Sequence, residues 1–144
     1  MLAWSARPWW ENSKGIQVPN DGVSYQRIAS DEGRYKFLVV DFYAPSCPHC
    51  IEAQPAWNKV VGEISATLGD EVMFLKVDGT NNRFTAQRYG IHRFPSFVIV
   101  QPGTDGQVYN EWVPKGPDPL DVSLAKWITG FVHFVKGTAS LQKV

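Results

Sequence analysis

The sequence predicts a single α/β domain: a central mixed β-sheet flanked by helices. Three observations carry that expectation. Residues 35–43 form a nearly continuous apolar and aromatic run, which reads as a strand covered on both faces. A segment of helical period follows it directly, with Trp57, Val60, Val61, Ile64 and Leu68 on one face. Two more strand-like runs, 71–78 and 97–100, lie either side of a short helical stretch. A chain of 144 residues supports one such domain. We set it at residues 23–137, with an N-terminal extension over 1–22 and a C-terminal tail over 138–144.

Taken in order, the extension holds Trp4, Trp9 and Trp10, three of the six tryptophans. Residues 23–33 read as a short helix with Val23 and Ile28 facing inward and a stop at Gly33. The first strand covers 35–43. The long helix runs from Cys47 to about Leu68, with Pro55 inside it, where a proline removes a backbone hydrogen bond. The strand 71–78 follows, then a short helix over 81–89, capped by Asn81 or Asn82 and ended by Gly90. The strand 97–100 turns at 102–106 and pairs back through 107–113. A final helix carries Leu124, Trp127, Ile128, Phe131, Val132 and Val135 on its apolar side. The expected order is β-α-β-α-β-β-α, a parallel unit first and a hairpin second.

Composition excludes several functions. Lysine plus arginine and aspartate plus glutamate both number 14, so the formal charge is zero and no nucleic acid partner is expected. No apolar run approaches the roughly 18 residues of a membrane span, so no transmembrane segment is expected. Two cysteines exclude a scaffold of several disulfides. The first residues lack the apolar stretch of a secretory signal. An organellar, mitochondrial location is expected ahead of the endoplasmic reticulum.

The chemistry concentrates at Cys47-Pro48-His49-Cys50. Two thiols three positions apart open a helix straight after a strand. The first meets the free N–H groups and positive dipole end of that helix, which favours thiolate over thiol. The second lies one turn along, within reach of a mixed disulfide formed at the first. Pro48 suits the first turn, and a protonated His49 would add positive charge beside the thiolate. Structural zinc would want four ligands, and beyond this one pair only His49, His92 and His133 are at hand, so no metal is expected. No cofactor is expected either.

The segment Val40-Asp41-Phe42-Tyr43-Ala44-Pro45-Ser46-Cys47-Pro48-His49-Cys50 resembles the active-site segment of the thioredoxin superfamily. It is most similar to protein disulfide isomerase domains, whose segment runs F-Y-A-P-W-C-G-H-C. Pro55 falls at that family's helix proline, and residues 89–97 resemble the loop that carries its cis-proline. The resemblance implies a thioredoxin fold and a thiol–disulfide oxidoreductase acting on protein thiols and disulfides. It implies Cys47 as nucleophile and Cys50 as resolving thiol. Pro95 would be the cis-proline, with Arg93, Phe94 and Pro95 binding an extended substrate. Asp41 would be the buried acid that exchanges a proton with Cys50, and Lys76 its neighbour and pairing partner. Two departures stand out. Ser46 replaces the family's tryptophan, and Pro48-His49 matches the bacterial periplasmic disulfide oxidases. A second, compatible reading is a structural or redox-sensing subunit of a larger assembly, bound to a stable protein partner through Trp4, Trp9, Trp10 and the C-terminal helix; equally, the tryptophan-rich extension can fold back on its own domain.

Overall fold

The computed structural model describes residues 8–31, 35–102, 110–112 and 117–142. Its five-stranded sheet has the order β1-β3-β2-β4-β5. The strands are β1 (Ile16–Gln17), β2 (Phe37–Tyr43), β3 (Val72–Asp78), β4 (Ser96–Val100) and β5 (Asn110–Trp112). The helices are α1 (Ser24–Ala29), α2 (Pro48–Leu68), α3 (Arg83–Arg88) and α4 (Leu120–Gln142). β1 and β2 each pair parallel with β3, while β2–β4 and β4–β5 are antiparallel.

The period of two in β2 and β3 divides the core between the sheet's faces. Phe37, Val39, Val72 and Phe74 join Trp57, Val60 and Ile64 of α2 and Leu124, Ile128 and Val132 of α4. Leu38, Val40, Phe42, Leu75 and Val77 join Tyr25 of α1 and Ala86 of α3 on the other side. Both faces are covered, which is why the strands read as nearly continuous apolar runs. On the first face, Asp41 follows Val39 and Lys76 follows Phe74, and the parallel register pairs the two positions.

Several sequence expectations are corrected. Residues 16–17, assigned to the extension, form an edge strand, and Val18 continues the ladder by donating its N–H to the Lys76 carbonyl at 2.9 Å. The first helix starts at Ser24 because the Asp21 carboxylate accepts the N–H groups of Val23 and Ser24, at 3.0 and 2.8 Å. That start leaves Val23 exposed and turns Tyr25 inward, where its hydroxyl lies 2.6 Å from that of Tyr89. Asn82 precedes α3 without a side-chain cap, and Gly90 ends it with a φ of 69°. The last helix continues through Gln142, into the stretch set apart as a tail. The turn expected at 103–106, strand residues 107–109 and 113, and Trp4 lie outside the described residues.

Candidate active site at the start of the long helix

Strand β2 ends at Tyr43, and the loop through Ala44, Pro45 and Ser46 delivers the chain to α2. Cys47 is the N-cap of that helix, in extended backbone, and its sulfur accepts the Cys50 N–H at 3.3 Å. One of the unbonded N–H groups of the helix start therefore points at the Cys47 sulfur. Pro48 occupies the first turn without losing a hydrogen bond. Cys47 is partly exposed and Cys50 is buried, and both are free thiols. Burial pushes the Cys50 thiol well up, and its hydrogen bond with Cys47 and the charge of Asp41 act in the same direction.

A second strand end closes the site. The Phe94–Pro95 peptide is cis, and the Cys47 thiol donates to the Phe94 carbonyl at 3.4 Å. The loop is held from both sides. Ser96 donates its hydroxyl to the Arg93 carbonyl at 2.7 Å. The Phe94 ring lies across Gly79, where an added Cβ would come within 2.3 Å of it. Gly79 is itself fixed by Asp78, whose carboxylate accepts from Thr80 and Asn81 and ties the end of β3 into a turn. An aspartate followed by Gly79, Thr80 and Asn81 is turn chemistry, a signal carried by the sequence itself.

Beneath the thiols sits Asp41. Its Oδ1 is sealed from solvent with no hydrogen-bond partner. Burial pushes its carboxyl up to about 7, with Lys76 pulling the other way. The expected hydrogen-bonded pair between the two is not made. The Lys76 ammonium instead donates to the carbonyls of Trp10 and Ser13, at 2.6 and 2.7 Å. Its burial favours the neutral amine, opposed by the charges of Asp41 and Glu11.

The remaining candidates lie at the rim. His49 is exposed, and its Nδ1 is 3.4 Å from Glu52 Oε2, so its ring turns along the helix surface. Ser46 and Arg93 are exposed, while Phe94 and Pro95 are partly buried. The structure thus gathers Cys47, Cys50, Asp41 and the Phe94 carbonyl at one sheet end.

Of the two expectations for Trp9 and Trp10, a partner interface or a fold-back on the domain, the contacts made within the chain fit the second. Trp9 donates its indole N–H to the Pro45 carbonyl at 2.8 Å. Both rings contact Tyr43, at centroid distances of 5.4 and 5.8 Å. Their aromatic character was legible in the sequence; the surface they cover was not.

Comparison with known proteins agrees with this geometry. The Thioredoxin family model matches residues 21–118. The chain is 40% identical over 88 residues to protein disulfide-isomerase A6 of Homo sapiens, a match covering 61% of this chain and 19% of that protein. It is 31% identical over 109 residues to the protein disulfide-isomerase of Oryctolagus cuniculus, covering 68% and 21%. A solved thioredoxin from Malassezia sympodialis aligns with a TM-score of 0.60 at 30% identity, covering 82% of this chain and 92% of that one. The chain spans about a fifth of the length of the two isomerases.

Proposed function

The chain belongs to the thioredoxin family, and on that premise we propose that it exchanges disulfides with protein thiols through Cys47 and Cys50. One observation carries this: a partly exposed thiol caps a helix and accepts the backbone N–H of a second cysteine, whose buried thiol lies one turn along. The exposed sulfur is open to a substrate and the buried one is open only to its neighbour.

In the reducing direction, the Cys47 thiolate attacks one sulfur of a substrate disulfide. That S–S bond breaks, the other substrate sulfur leaves as thiolate, and a mixed disulfide with Cys47 forms. Asp41 takes the Cys50 proton, which burial otherwise retains. The Cys50 sulfur then attacks Cys47 and releases the second substrate thiolate. Two electrons have passed to the substrate, and the Cys47–Cys50 disulfide remains. Run backwards, the same steps oxidise a substrate dithiol. The Phe94 carbonyl beside Cys47 suits an extended substrate segment laid across the thiol. Trp9 and Trp10 place their rings on the chain's own Tyr43, as expected of an extension folded back on its domain.

Cys50→Ser, offered a disulfide-bonded protein, is expected to accumulate a covalent adduct seen by non-reducing electrophoresis and mass. Cys47→Ser is expected to form none. Equal adduct from the two variants would overturn the assignment of nucleophile and resolving thiol.

A further inference from the structure

The least expected contact around the site is the one that Lys76 makes. At paired positions on one face of two parallel strands, a buried lysine and a partly buried aspartate would satisfy each other. Here they do not. Lys76 is 3% exposed and gives its ammonium protons to two backbone carbonyls, while Asp41 Oδ1 is left without a partner. Both carbonyls belong to the turn of residues 9–13. That turn is fastened to the thiol loop by the Trp9–Pro45 hydrogen bond and to α2 by Gln54, which donates to the Trp9 carbonyl at 2.9 Å.

We propose that the turn of residues 9–13 is a positioning element for disulfide exchange, holding the Lys76 ammonium away from Asp41 so that the carboxyl is free to take the Cys50 proton. The inference rests on the exchange reaction proposed above. The groups that bear on Asp41 are Lys76 from β3, Cys50 from α2 and Tyr43 from its own strand; Glu11, in the turn itself, favours the charge on Lys76. An ammonium brought within hydrogen-bonding reach would lower a carboxyl by about 1–3 pH units and make it a poor base for a buried thiol. The carbonyls supply the lysine with partners of fixed position that carry no titratable charge. Residues 9–13 thereby act on Cys50 through Lys76 and Asp41, without contacting the reacting sulfurs.

The test uses the full chain with W9A/W10A, which removes both rings from Tyr43 and the bond to Pro45. The Asp41 carboxyl is titrated by carbon-13 NMR, its signal assigned with Asp41→Asn. The midpoint is expected to fall by about 1–3 pH units. With K76M added, W9A/W10A should leave it unmoved. K76M alone, which needs no release of the turn, should raise it by less than about one unit. The pH profile for resolution of a preformed Cys47 mixed disulfide should shift with the W9A/W10A midpoint. An unmoved midpoint in W9A/W10A overturns the proposal, as does a rise of about 1–3 units on K76M alone. So does a midpoint shift that the resolution profile does not follow. The titration reads Asp41 itself, so its outcome is distinct from any failure of exchange at Cys47.

Discussion

Trp57→Ala is expected to destabilise the protein by about 3–5 kcal/mol. Trp57 is 1% exposed, midway along α2, and it reaches the sheet between two aromatic partners. Its ring stacks on Phe97 and meets Phe74 edge-on, each at a centroid distance of 5.7 Å. Alanine would leave a cavity that neither strand nor helix can close, because both are fixed by their own backbone hydrogen bonds. The indole N–H also donates to the Lys14 carbonyl at 2.7 Å, so the loss extends to the segment leading into β1. The measurement is a shift in denaturation midpoint at unchanged slope. Phe84→Ala is the control: that ring is 85% exposed, and its removal should cost less than about 0.5 kcal/mol. A loss below about 1 kcal/mol at Trp57 would contradict the packing described.

The second large effect is at Asp41 and depends on pH. Its carboxyl is pushed from an ordinary 3.8 up to about 7 in the folded protein. The native state therefore holds this proton more tightly than the unfolded chain does. Its contribution to stability is complete below pH 4 and is lost as pH rises to about 7. Asp41→Asn keeps the shape and removes the charge. It should flatten the pH dependence of stability across that window and raise stability above it by about 2–4 kcal/mol. Denaturation series at pH 5 and pH 8 check both parts. A variant no more stable than the parent at pH 8 would show that the carboxylate is solvated, not buried. The same substitution removes the proposed proton acceptor of Cys50, so greater stability and slower resolution should arrive together.

The fold was legible where burial leaves a pattern. β2 and β3 are covered on both faces, and their apolar runs, broken only by Asp41, Lys76 and the terminal Asp78, announced it. The apolar face of α2 and its Cys-x-x-Cys start were equally plain. What stayed hidden depends on contacts distant in sequence. A two-residue strand such as β1 has no period, and it forms because the edge of β3 offers backbone partners. Tyr25, not Val23, points inward because Asp21 sets where α1 starts, and one residue of phase moves a side chain to another face. The positions of Cys47, Cys50 and Pro95 could be read from motifs. The partner of Lys76 could not: its register with Asp41 suggests a salt bridge, and only the turn of residues 9–13, folded over the site, supplies the carbonyls that take its place.

Cys47 and Cys50 are proposed above to form a reversible redox pair. Equilibrating the protein in graded glutathione buffers and reading the oxidised fraction by thiol alkylation and mass tests it most directly. One reversible two-electron transition between the dithiol and the Cys47–Cys50 disulfide is expected. A pair that never closes, or a disulfide that no buffer in the series reopens, would contradict it.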